Sequence, residues 1–170
     1  MKRIQTCEGL SLIGLELICK VNNISNNHLI ILLFARILVA VDGSESSKKA
    51  FEESIYLAQK CNSKLDVIHV VSCELGGDSA TTFELIAELK TKAEKMLDEY
   101  KIQAAKNNVP IEMMVTQGDP AQVIIEIAKT KRHDLIIMGT RGKSAFQELL
   151  IGSVSQKVMH HASCPVMVVR

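Results

Sequence analysis

Five short apolar runs alternate with segments of helical period after residue 35, and that alternation limits the fold more than any other feature of the sequence. Arg36-Ile37-Leu38-Val39-Ala40-Val41 is short, continuous and apolar, as a strand buried on both faces must be. From Glu45 to Gln59 apolar residues return at helical spacing, at Ala50, Ile55, Leu57 and Ala58, and Asn62-Ser63 ends the segment. Leu65 to Val71 is a second strand. Thr81-x-x-Glu84 then opens a long helix that runs to Asn107. Pro110 to Thr116 is a third strand. Asp119-Pro120-Ala121-Gln122 starts the next helix with a capping Asp, a Pro at the first helical position and a Gln at the third, and this helix runs to Arg132. Asp134 to Met138 is a fourth strand, Ser153 to His161 a helix, and Cys164 to Val169 the last strand. The order βαβαβαβαβ predicts an α/β fold, an open parallel five-stranded sheet with helices on both faces. In such sheets ligands sit beyond the carboxyl ends of the strands, where the strand order reverses.

Two loops lie at such ends. Asp42-Gly43-Ser44 follows the first strand, and Gly139 to Gly142 follows the fourth. They meet in one crevice if strands one and four are neighbours. Glycine lets a backbone approach a phosphate closely, so a buried strand opening into a glycine-marked loop has the pattern of an anion cradle. Further on, Gly152-Ser153-Val154-Ser155-Gln156 reads as a helix start, with Ser153 at the N-cap and Gln156 at the third helical position. Free N–H groups and the positive dipole end would sit there beside a hydroxyl.

Charge and composition exclude other classes. With 20 basic and 19 acidic residues the net charge is +1, which gives no electrostatic footprint for nucleic acid. Trp is absent and aromatics make up 4%, too few for single-strand stacking platforms. The five cysteines, Cys7, Cys19, Cys61, Cys73 and Cys164, are odd in number and lack C-x-x-C spacing, which fits reduced thiols in the cytoplasm. Residues 1–34 read as an extension of unknown role ahead of a domain at 35–170. Lys2 and Arg3 precede an apolar patch from Leu10 to Cys19, but Glu16 interrupts it and no small-x-small cleavage site follows. A second apolar run, Leu29 to Phe34, stops at Arg36, short of the roughly 18 residues a membrane span needs. No membrane association is expected. A peripheral extension and a leader translated upstream of the true start are the plainer readings, the latter with a non-ATG start at Leu33.

Ile37 to Ser44, Asp134 to Gly142 and Cys164 to Val169, with the spacing G-x2-G-x9-G-[ST] at Gly139, Gly142, Gly152 and Ser153, resemble the universal stress protein family over residues 35–170. The intact glycine spacing resembles its ATP-binding branch. The resemblance implies a Rossmann-like sheet of strand order 3-2-1-4-5. It also implies a nucleotide site in which Ala40, Val41 and Asp42 line the adenosine side and Val70 contacts adenine. Met138, Gly139, Arg141 and Gly142 would form the phosphate and ribose loop, and Gly152, Ser153, Val154 and Ser155 would hold phosphates. The implied ligand is ATP, with AMP or ADP as alternatives. Mg2+ or Mn2+ would be carried on the phosphates near Asp42 and not by the protein alone. The implied assembly is a homodimer through the last strand, Pro165 to Val169, acting on an unidentified regulatory partner protein.

Rival readings of these residues are weaker. Gly142-Lys143-Ser144 suggests a P-loop, but the required glycine five residues before Gly142 is Ile137. Lys143 is then either a point charge near phosphates or part of a solvated loop. His160, His161 and Cys164 lack the second cluster a closed zinc site needs. His69 is a strand residue near the pocket. Asp42 is a ribose ligand, a magnesium contact or a turn residue. No catalytic residue is assigned, since no base or nucleophile stands out. Two other functions remain open: a weak or partner-dependent ATPase or phosphotransferase, and a nucleotide-free dimerisation module.

Overall fold

The structure, a computed structural model, describes residues 34–72, 80–142 and 151–170. The elements are β1 (Arg36–Ala40), α1 (Glu45–Cys61), β2 (Lys64–Val71), α2 (Ala80–Lys106), β3 (Ile111–Gln117), α3 (Pro120–Thr130), β4 (Leu135–Gly139), α4 (Ser153–His161) and β5 (Val166–Val169). The five strands form one parallel sheet of order β3-β2-β1-β4-β5. This is the expected 3-2-1-4-5 order. The chain leaves β1 to build one side with β2 and β3, then returns to β1's other edge with β4. That reversal sets Ala40 opposite Met138 in register and creates the crevice above their ends.

Side-chain alternation gives the sheet two apolar faces. Ile37, Val39, Val67, Leu135 and Ile137 point to one face, with Phe51 and Ala58 of α1 and Leu97 and Tyr100 of α2. The rings of Phe51 and Tyr100 meet edge-on with centroids 4.6 Å apart. Leu38, Ala40, Ile68, Ile136 and Met138 point to the other face, with Ala121, Ile124 and Ala128 of α3 and Val158 of α4. The continuous apolar runs of β1 and β4 follow from burial on both faces, the reason parallel strands lack polar alternation.

Several element boundaries differ from the sequence reading. Gly139 is the last paired residue of β4, opposite Val169 of β5, and does not break the strand. Helix α2 begins at Ala80, so Thr81 lies inside it and is not its cap. Strand β5 begins at Val166, because Pro165 has no N–H to give the ladder. Helix α1 runs two residues past Gln59 and stops at Asn62, whose φ of 53° is the left-handed turn that ends a helix. At the amino ends of the strands, remote from the crevice, Asp66 of β2 is buried. His133 Nε2–H donates to its Oδ2 at 3.0 Å, Lys131 Nζ lies 3.5 Å away and the Arg36 guanidinium 4.0 Å. This group ties the end of α3 to the sheet. Among the described residues no helix is long and apolar enough to cross a membrane.

Candidate functional site

The turn after β1 is built from its own side chains. Asp42 Oδ1 accepts the Ser44 N–H at 2.9 Å, and Gly43 takes φ of 76°, where a side chain would be strained. Ser44 is the N-cap of α1, its Oγ accepting the Ser47 N–H at 3.3 Å. The turn-residue role of Asp42 is thus part of the fold, and its second carboxylate oxygen faces the other loop. A Cβ on Gly142 would lie 2.7 Å from Asp42 Oδ2, so the loops after β1 and β4 are in contact. Ser44 Oγ and Ser46 Oγ both donate to the Arg141 carbonyl, at 3.1 and 2.6 Å, and fasten that loop to the start of α1.

The other two glycines mark equally close approaches. A Cβ on Gly139 would stand 2.4 Å from Ser46 Oγ and 2.9 Å from the backbone of Ser46 and Ser47, so β4 passes directly against the first turn of α1. A Cβ on Gly152 would lie 3.3 Å from the Thr140 carbonyl, which also accepts the Gly152 N–H at 2.7 Å. That bond turns the chain one residue earlier than expected. Gly152 is therefore the N-cap of α4 and Ser153 is its first helical residue, so the cap residue brings no side chain to the helix start. Ser155 is buried and its hydroxyl donates to the carbonyls of Gly139 at 2.8 Å and Thr140 at 3.2 Å, binding α4 to the end of β4. Ser153 is exposed. The α4 amino end thus stands beside Gly142, and its dipole favours an anion.

One wall of the crevice comes from the sheet. Ala40 and Met138 are buried on the face covered by α3 and α4, and half-buried Val70 packs on the same face. Ladder directions give the orientation of the Val70 backbone. The Ile68 carbonyl accepts the Val41 N–H on the β1 side, and the Val71 carbonyl accepts the Gly118 N–H on the β3 side. By alternation the Val70 N–H and C=O point toward β1, beyond its last strand residue, Ala40. His69 points to the opposite face, and its Nδ1–H donates to the Val41 carbonyl at 2.7 Å. Burial pushes the Tyr100 phenol up, with the Asp42 carboxylate nearby adding to that shift.

The predicted residues therefore divide. Ala40, Asp42, Val70 and Met138 lie at the carboxyl ends of β1, β2 and β4, Gly152, Ser153 and Val154 at the start of α4, and Arg141 and Gly142 in the loop between them. Gly139 and Ser155 are spent on packing and on holding α4 to β4, and Val41 is 3% exposed and accepts from His69. The sequence reading missed Ser44 and Ser46 as fasteners, and Thr140 as the hinge between β4, β5 and α4. The dense hydroxyls of Ser44-Glu45-Ser46-Ser47 are a signal of helix capping only, since their partner lies 95 residues further on. Lys143 lies outside the described residues, as do residues 1–33 and the Gly76-Gly77 loop. Among the described residues no three His, Cys, Asp or Glu side chains gather where they would hold a metal. The Cys164 thiol is pushed up by its burial and by Asp134, and the rings of His160 and His161 are 6.4 Å apart on the far end of α4.

A doubly wound parallel sheet with a glycine-lined crevice at the ends of β1 and β4 defines a Rossmann-like α/β protein. The universal stress protein family model matches residues 33–170, and the chain belongs to that family. It is 35% identical over 148 residues to the universal stress protein YxiE of Bacillus subtilis, covering 81% of this chain and 100% of the relative. The structure of universal stress protein UspA from Lactobacillus plantarum matches with a TM-score of 0.77 at 27% identity, covering 81% of this chain and 98% of that one. A universal stress protein from Archaeoglobus fulgidus, solved in complex with dAMP, shares the fold at a TM-score of 0.63 and 20% identity, over 82% of this chain and 100% of that one.

Proposed function

We propose that this chain is an ATP-binding universal stress protein, a regulator that acts through nucleotide occupancy. The observation that carries the reading is the contact of Gly142 with Asp42 beside the start of α4, whose cap residue Gly152 has no side chain. A phosphate chain laid along Gly142, Ser153 and Val154 meets backbone amides and the positive end of α4, while Gly152, its own N–H held by Thr140, lets the chain approach closely. Asp42 faces the ribose side, and Ala40, Val70 and Met138 give the base an apolar wall. The Val70 C=O and N–H offer an acceptor beside a donor, which pair with the amino group and ring nitrogen on the edge of adenine. Guanine presents the reverse order on that edge and is disfavoured. The dAMP found in the Archaeoglobus fulgidus protein of the same fold is consistent with an adenine nucleotide in such a crevice. Mg2+ or Mn2+ would enter on the phosphates, with Asp42 the carboxylate nearest the loops.

Among the described residues strand β5 pairs with β4 alone and stands at the edge of the sheet. An unpaired apolar edge needs cover, which supports a homodimer through Pro165 to Val169. Signalling requires that ATP favour one conformation or partner surface over another. The test is to purify the full chain without added nucleotide, denature it, identify any released small molecule, and follow ADP formation over hours. Released ATP without turnover is the expected result. Turnover that Asp42→Ala abolishes would indicate an ATPase or phosphotransferase. Absence of any released or bound nucleotide would leave a dimerisation module.

A further inference from the structure

The Arg141 carbonyl accepts two hydroxyl protons, one from Ser44 and one from Ser46, at 3.1 and 2.6 Å. Two bonds fill the lone pairs of a carbonyl oxygen. The Arg141–Gly142 peptide is planar and trans, so its N–H points opposite to its C=O. With the carbonyl drawn to the start of α1, the Gly142 N–H is turned to the other side, where α4 begins. The Gly142 nitrogen lies 3.9 Å from the position a Cβ would take on Gly152. The geometry points to a positioning role for Ser44 and Ser46: they aim the Gly142 amide at the anion side of the crevice. This role rests on the nucleotide reading above. Glycine at 142 permits many orientations of that peptide, and the two serines select one of them. Ser46 is not the cap of α1, and among the described residues its hydroxyl bonds to the Arg141 carbonyl and the Ser44 hydroxyl. Its hydroxyl is therefore spent on the loop and not on the helix.

The test compares ATP with adenosine by calorimetry on the full chain. Ser46→Ala removes one anchor of the carbonyl and frees the peptide to rotate away from the phosphates. The expected result is about tenfold weaker ATP binding, the worth of one hydrogen bond to a charged group, with adenosine affinity changed by less than about twofold. Ser44→Gly is the second variant. Glycine is accepted at an N-cap, so α1 keeps its start while the other hydroxyl is lost. The same selective loss is expected. A parallel loss of ATP and adenosine affinity, or no loss in either variant, would overturn the positioning role alone. If the unmutated chain binds neither ligand, the nucleotide reading fails, and the positioning role fails with it.

Discussion

Gly139 has no room for a methyl group. In Gly139→Ala the new carbon meets the backbone of Ser46 and Ser47 at 2.9 Å, and neither can move without shifting α1 from β4. Such overpacking is expected to cost about 1–3 kcal/mol, read as a lower midpoint in urea unfolding. Gly142→Ala differs in kind. Its carbon meets the far end of the Asp42 side chain at 2.7 Å, which can swing aside. Stability should fall by less than about 1 kcal/mol, while nucleotide affinity falls because the Asp42 carboxylate is displaced from the ribose side. Equal effects of the two changes on unfolding would contradict this distinction. The spacing of these glycines was legible in the sequence, and so was the loop they mark. What each one touches was not, because Ser46 and Gly139 are far apart in the chain and only the β1–β4 pairing brings them together.

Two helix starts show where reading by element succeeds and where it stops. The start of α3 was legible because its signals are local. Asp119 Oδ1 accepts the Gln122 N–H at 3.0 Å and Pro120 follows the cap. That backbone bond, with Lys157 nearby, holds the Asp119 carboxyl below its ordinary range. A depressed folded value means stability that is present above the unfolded carboxylate range and is lost as pH falls through the folded one. Asp119→Ala should therefore lower the melting temperature at pH 7 and flatten its decline on acidification. An unchanged acid limb would contradict the assignment. The start of α4 was read one residue late, because Gly152 is fixed by a bond to Thr140 that no local pattern announces. At the other end of α3, Asp66 is the buried counter-charge for Lys131 and Arg36 and the acceptor for His133. Asp66→Asn weakens the bond to buried His133, while half-exposed Lys131 keeps Glu112 at 3.6 Å and Arg36 reaches solvent, so the expected cost is about 1–3 kcal/mol in chemical denaturation.

At the scale of the molecule, strand order and the two faces were legible from the alternating pattern and from the family resemblance. The polar anchors were not, since Asp66 and His133 carry no local signal of burial, and Ser155, expected at the phosphates, is buried against the end of β4. Whole-molecule titration also carries a sign. Tyr100, Cys61 and Cys164 all have values pushed up by burial, from ordinary values of 10.0 for the phenol and 9.0 for the thiols. Groups raised in the folded state contribute stability that is complete below the unfolded values and is lost as pH rises through the folded ones. Unfolding free energy should decline above about pH 9, and Tyr100→Phe should remove part of that decline at its upper end.

The proposed adenine-nucleotide pocket is built from the ends of β1 and β4, the Val70 backbone and the start of α4. Calorimetric titration of the full chain with ATP and with GTP tests it most directly. The prediction is saturable ATP binding with GTP weaker by at least about tenfold, because the Val70 donor and acceptor match adenine and leave guanine unpaired. Equal affinity for the two, or no binding of ATP, ADP or AMP, would contradict it.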